Sequence, residues 1–278
     1  MKEKQKRIMA INDISCFGKC SLTVALPILS AAGLEACPVP TALLSTHTGE
    51  GFKNFTFKNL DDQIIPITEH WKSLDLSFDA IYSGYLGSFE QINYVENIID
   101  KFKGARILID PVMGDNGRLY TGFDERFTKG LLRLSKKADI IVPNITEASY
   151  MLGIEYKDIY SEKDILMIID LLKKEGIPKA VITGIHMKGN IVSSAVFDGN
   201  EVAFIKNEHI KGMYHGTGDV FASVLLACIM KGMSLKDAAD IAVWYVYQCI
   251  ILTKERYGEN HYGVDFESIL HKLIEKLS

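Results

Sequence analysis

Gly216, Thr217, Gly218 and Asp219 stand in a row directly before an apolar stretch of helical spacing that begins at Val220. Glycines reach backbone conformations closed to other residues and let a ligand come close to the main chain. A helix starting here points unpaired N–H groups and the positive end of its dipole outward, which suits an anion. Asp219 then sets a carboxylate inside a site built for negative charge. That combination fits phosphoryl transfer to a hydroxyl, with Asp219 held ionised by the dipole and accepting the proton. An ordinary loop and helix cap fits the same four residues. They are not a Rossmann fingerprint, because Phe221 fills the third glycine place, and not a Walker A loop, because no lysine follows. The sequence Gly18, Lys19, Cys20, Ser21 resembles the end of such a loop, but Asp13 stands where its first glycine belongs.

The chain has 278 residues, 47% of them hydrophobic, enough for a large core. A net charge of −4 calls for neither nucleic acid nor an anionic membrane as partner. The charged start at 2–7 leads into no signal-peptide core, and the longest apolar run, 241–252, is too short to span a bilayer. Cys16, Cys20, Cys37, Cys228 and Cys249 are an odd, scattered set and read as reduced cytosolic thiols. Cys16 and Cys20 have the spacing of a metal pair, but no second Cys/His pair matches it.

Something must position the Gly-Thr-Gly-Asp stretch. The patterning predicts strands at 7–12, 39–44, 79–84, 105–110, 138–142 and 179–183, and a hairpin of 191–197 with 201–205. Helices are predicted at 21–32, 61–71, 88–102, 123–134, 146–152, 161–175, 220–230, 235–253 and 266–277. Residues 52–60 read as a flap and 111–122 as a glycine-rich loop. This alternation implies an α/β fold: a mostly parallel central sheet with helices on both faces, in one domain spanning 1–278. The strand ends carry Asn12 and Asp13, Ser83 to Tyr85, Asp110, Asn144, and Thr183 with Gly184. In parallel sheets ligands bind beyond the carboxyl ends of strands, so these polar ends point to one shared site. Taken singly, each also fits a turn or cap, and Asn144 and Thr146 are both good N-caps.

Together, Gly216 to Asp219, the Asn-x-x-Glu of Asn144 and Glu147, and the run Asp110, Pro111, Val112, Met113, Gly114, Asp115 resemble the ribokinase-like superfamily of small-molecule kinases. Asn12 with Asp13, the Ser45 to Gly49 stretch and the Ser83 to Gly87 stretch bring the resemblance to the pyridoxal/pyridoxamine kinases. It covers nearly the whole chain in order. It implies transfer of the ATP γ-phosphate to the 5′-hydroxymethyl group of a B6 vitamer. It places Asp219 as base and Gly216, Thr217 and Gly218 as anion hole. Asn144 and Glu147 organise Mg2+ and its waters, Asp115 lies near the phosphates, and Thr183, followed by Gly184, contacts ATP. Thr48 and Tyr85 hold the ring, with His47 beside them. A monovalent cation such as K+, a homodimer and a cytoplasmic location are further implications, as is a small flap over the substrate site. Asp13 stands where better-known relatives carry a serine facing the ring, where a carboxylate could accept from the ring nitrogen or hydroxyl. Gly184 replaces a serine of some relatives, which weakens that ATP contact. The 16–20 stretch also departs from them. Hydroxymethylpyrimidine kinase is the nearest rival, and a non-catalytic nucleotide or vitamin sensor on the same scaffold is another.

Overall fold

The computed structural model describes residues 4–49 and 51–277. In chain order its elements begin with β1 (Arg7–Ser15), α1 (Leu22–Ala31), β2 (Glu35–Leu44), β3 (Phe57–Asn59), α2 (Asp61–Ser73), β4 (Ala80–Ser83) and α3 (Phe89–Lys101). Next come β5 (Arg106–Ile109), β6 (Gly114–Asp115), β7 (Arg118–Leu119), α4 (Glu125–Ser135), β8 (Ile140–Ile141), α5 (Ile145–Leu152), α6 (Glu162–Lys174), β9 (Ala180–Met187), β10 (Ile191–Phe197) and β11 (Val202–Glu208). The chain closes with β12 (Met213–Tyr214), α7 (Thr217–Met230), α8 (Leu235–Tyr257), β13 (Asn260–His261), a 3-10 turn (Glu267–Ile269) and α9 (Leu270–Leu277). These elements form two compact units, Met1–Ala105 with Ile210–Ser278, and Arg106–His209.

In the first unit β1 runs parallel to β2 on one side and to β4 on the other, while β3 lies antiparallel to β2. Ile8, Met9, Ala10 and Ile11 are all fully buried. Successive strand residues face opposite sides, so β1 is covered on both faces, which is why it reads as an unbroken apolar run. Helix α7 is a core helix: Val220 to Met230 are all buried, and it packs on α1 and α8. In the second unit β8 lies parallel between β5 and β9, and β10 and β11 add an antiparallel hairpin to β9. Helices α5 and α6 pack together, with α4 and β9 against α5.

The expected elements are present, with instructive differences. Strand β9 continues to Met187, past the predicted end at Thr183. Gly184 sits inside it at φ 66°, beside a register shift in the β9–β10 pairing, so the glycine marks a bulge and not a stop. The glycine-rich loop holds a tight β6–β7 hairpin. The flap carries only the three residues of β3. The last predicted helix splits into the 3-10 turn and α9. The two-residue parallel pairing of β12 with β13 carries no pattern long enough to read in advance. Among the described residues no helix is long and apolar enough to cross a membrane.

Candidate active site

In the first unit the site is built at the start of α7. Gly216 is the helix N-cap, left-handed at φ 78°, with no side-chain cap. A Cβ here would meet the Lys19 carbonyl oxygen at 2.2 Å, so both conformation and space demand glycine. The first intrahelical bond from this cap is Val220 N to Gly216 O, 3.0 Å. The amides of residues 217–219 therefore find no acceptor inside the helix. Nothing described lies within 4 Å of where a Gly218 Cβ would project, leaving open space at the helix start. The Thr217 hydroxyl is turned back to the Tyr214 carbonyl at 3.3 Å.

Asp219 is half-buried at the third helical position. Its Oδ1 receives Asn12 Nδ2 at 3.4 Å, and the Ser21 backbone N–H also donates to it. Burial, reinforced by the charge of Asp13, pushes its carboxyl up to about 6, against the pull of those two donors. The helix dipole does favour the ionised form, but desolvation outweighs it. At neutral pH a group near 6 is still mostly ionised and closely matched to the task of a base.

Asp13 is buried, with Oδ2 accepting from the Ser15 hydroxyl at 2.9 Å and Oδ1 from the Ser21 hydroxyl. Burial raises its carboxyl above the ordinary value, and the two serines oppose that. Tyr85 is held by its main chain: its N–H donates to Asn12 Oδ1 at 2.8 Å, and its carbonyl accepts from Thr41 at 2.9 Å. Burial, then the charge of Asp13, pushes the Tyr85 hydroxyl up to about 12. His47 has both ring nitrogens engaged. Nδ1 accepts from Gly49 N–H at 3.0 Å, which leaves Nε2–H to donate to the Tyr262 carbonyl at 2.8 Å. Its ring packs 4.6 Å from His215, the residue before Gly216, so what it offers a ligand is a ring face. Thr48 is exposed beside it.

The second unit holds the remaining predicted residues. Asn144 caps α5 in a reciprocal box with Glu147, and its Nδ2 donates to the Gly114 carbonyl at 2.8 Å. Glu147 is buried; Oε2 accepts from Asn144 N at 2.8 Å and Oε1 from Met113 N at 3.1 Å. Burial and then the charge of Asp110 hold its carboxyl well above the usual range. Asp115 lies exposed on the β6–β7 hairpin, accepting from Asn116 N at 2.8 Å. Thr183 forms a bridge with Asn144, its N–H donating to the Pro143 carbonyl at 2.9 Å, and Gly184 follows, exposed.

Among the described residues no three His, Cys, Asp or Glu side chains cluster closely enough to hold a metal alone. Magnesium binds with few carboxylates and keeps several waters. Glu147, held up by burial and then by the charge of Asp110, fits such an ion, with the buried Asp110 as a second carboxylate. Each unit thus gathers its own set: Asp13, His47, Tyr85 and Gly216 to Asp219 in the first, Asp110, Asp115, Asn144, Glu147 and Thr183 in the second. The sequence reading gave no site role to Asn12, Ser21 or Cys20. The thiol of Cys20 is raised well above normal by burial and by Asp219 and Asp13. The only advance sign of these three was their place in the strand end and loop.

Several known proteins resemble this chain. A structure from Bacteroides thetaiotaomicron, assigned provisionally as a phosphomethylpyrimidine kinase and crystallised with pyridoxal, is 38% identical. The match covers 97% of this chain and 96% of that one, with a TM-score of 0.92. Pyridoxal kinase from Lactobacillus plantarum is 27% identical, with 98% of each chain covered and a TM-score of 0.89. The hydroxymethylpyrimidine/phosphomethylpyrimidine kinase of Bacillus subtilis is 29% identical over 226 residues, 80% of this chain and 79% of that one. The profile of the phosphomethylpyrimidine kinase family matches residues 26–265, from within α1 to beyond β13, and to that family the chain belongs.

Proposed function

We propose that this chain is an ATP-dependent kinase that phosphorylates the 5′-hydroxymethyl group of pyridoxal and related B6 vitamers. The observation that carries it is the uncapped start of α7, with Asp219 at its third position and its carboxyl near 6. Asp219 takes the hydroxyl proton as the oxygen attacks the γ-phosphorus and the bond to ADP breaks. The amides of Gly216, Thr217 and Gly218 stabilise charge on the transferring oxygens. Thr48 and Tyr85 hold the ring, supported by Asp13 and His47. Asp115, Thr183 and Gly184 bind the nucleotide. Glu147, and Asn144 through water, would hold Mg2+, which when bound would neutralise phosphate charge.

The whole chain acts as one kinase domain. Five free cysteines support a reducing, cytoplasmic location. A homodimer is supported by α8, which leaves Trp244, Tyr247 and Ile251 only partly covered. A monovalent cation such as K+ rests on the resemblance alone. Hydroxymethylpyrimidine phosphorylation is the second reading, favoured by the family profile and the Bacillus relative. A coupled ADP-release assay over pyridoxal, pyridoxine, pyridoxamine and hydroxymethylpyrimidine separates them. Turnover is expected to be highest with a B6 vitamer; turnover confined to hydroxymethylpyrimidine overturns the first reading.

A further inference from the structure

Asn12 is fully buried at the carboxyl end of β1, where an unpaired amide is costly. Its Oδ1 accepts two main-chain donors, Tyr85 N at 2.8 Å and Asp13 N at 3.0 Å. Its Nδ2 faces Asp219 Oδ1 at 3.4 Å. The β1–β2 register shifts between Asn12 and Ile14. Such irregularities re-aim side chains beside active sites, and this one falls at Asp13, directly after Asn12. Gly84 is shaped around the same amide: a Cβ there would lie 2.3 Å from Asn12 Nδ2 and 2.7 Å from its Cγ. Gly84 has no left-handed backbone to explain it, so space for Asn12 is its physical reason.

We infer that Asn12 is a positioning residue, one amide that fixes the Asp219 carboxylate and the Tyr85 main chain relative to each other. The inference rests on the kinase reading above and on Asp219 as its base. The oxygen of the amide sets the strand end that carries Tyr85, and the nitrogen sets the direction of the carboxylate. A second arm supports it. Ser21 adopts φ 59°, ψ −131°, a conformation that favours glycine, and is tied there by its hydroxyl to Asp13. Its N–H also donates to Asp219. The groups facing Asp219 are thus Asn12 and Asp13 from β1, and Ser21 and the Cys20 thiol from the loop before α1.

Three variants of the full chain test this, through the pH profile of kcat in the ADP-release assay with pyridoxal. Asn12→Asp keeps an oxygen for the Tyr85 and Asp13 amides but replaces the donor with a second charge. Gly84→Ala leaves Asn12 in place and forces its amide away. Asp219→Asn checks the base itself. The acid limb is expected to move up by about one unit or more in Asn12→Asp and by about half a unit in Gly84→Ala. In Gly84→Ala, which adds no charge, a purely structural role lowers thermal stability without moving that limb. If Asn12→Asp fails to fold, Gly84→Ala carries the test alone. Folded variants with the wild-type limb, beside an inactive Asp219→Asn, overturn the role of Asn12 while leaving the kinase reading standing. An Asp219→Asn protein with near wild-type turnover overturns the base assignment, and this inference with it.

Discussion

Asn144 and Glu147 bond each other twice: Glu147 N–H donates to Asn144 Oδ1 at 2.9 Å, and Asn144 N–H to Glu147 Oε2 at 2.8 Å. The pair that the resemblance assigns to magnesium is therefore also the capping box that starts α5. Gln at the third position of such a box can still accept from the cap. In Glu147→Gln one charged acceptor is lost, worth about 1.5–3 kcal/mol, while the repulsion between Glu147 and Asp110 is relieved. These effects oppose each other, so the metal-free melting temperature is expected to stay close to wild type. The magnesium concentration for half-maximal ADP release is expected to rise roughly tenfold or more. Superimposable magnesium titrations of mutant and wild type would leave Glu147 as a cap alone.

His47 ties the loop after β2 to residue 262 through a ring that must be neutral to accept from Gly49 N–H. Burial is the first cause holding its pKa below 6.5, and the Tyr262 carbonyl opposes it. A histidine lowered in the fold contributes stability that is present above its unfolded value of about 6.5 and lost as pH falls through the folded one. His47→Gln can keep a donor for Tyr262 O, whereas His47→Ala loses both bonds. Each bond is worth about 0.5–1.5 kcal/mol. The pyridoxal KM is expected to rise about three- to tenfold in the Gln variant and further in Ala, with kcat little changed. The acid-side loss of wild-type stability should shrink in both. An unchanged KM in His47→Ala would remove His47 from the ring site.

The flap expected at 52–60, with its glycine-bearing approach from Thr46, includes one position, Glu50, that lies outside the described residues. The stretch is tied at its start by His47 and the Phe52 ring beside it, and further on by Ser45 Oγ, which accepts from Thr56 N at 2.9 Å, and by three β3 pairs to β2. Phe55 and Phe57 are 38% and 43% exposed, apolar surface that a bound ring could cover. Amide hydrogen exchange across 46–60 is expected to slow when pyridoxal and a non-hydrolysable ATP analogue are both present. Exchange that is the same with and without ligands counts against a cover.

Strand ends and helix starts were legible because local chemistry marks them. Asn12, Ser83 and Asn144 interrupt apolar runs, and Gly216 and Gly218 precede a helical period. What could not be read is who meets whom. Asn12 reaches Asp219 across 207 positions, and no pattern in either stretch encodes that contact. Ser21 looked like the first residue of a helix, yet its left-handed φ and its bond to Asp13 appear only in three dimensions. Gly184 was misread as a stop because a bulge glycine and a strand-ending glycine look alike in sequence. His47 was read as a neighbour of the ring, and one of its two main-chain bonds, to the Tyr262 carbonyl, spans 215 positions.

Asp219→Asn separates function from stability more sharply than any other change. Its carboxyl is raised to about 6 in the fold from an ordinary 3.8. A carboxylate raised on folding binds its proton more tightly in the native state, so native stability falls as pH climbs from about 4 to about 6 and stays lowered above. Asn keeps the shape and removes the charge that burial and Asp13 oppose. At pH 7.5 the variant is therefore expected to be more stable than wild type, by about 1–2 kcal/mol after discounting for partial exposure. Its melting temperature should also depend less on pH between 4 and 6 than that of the wild type. Loss of a positioned base costs about 10²- to 10⁴-fold in rate, so kcat should fall within that range while pyridoxal still binds. ATP affinity should hold or tighten, because a negative charge is gone from a site that receives phosphate. A helix cap alone predicts the opposite pattern, near wild-type turnover with no gain in stability. Calorimetry at pH 5 and 7.5, beside single-turnover kinetics, reads both quantities on the same protein. A variant that is slower but no more stable would show that the Asp219 carboxylate is not under the strain that burial and Asp13 imply.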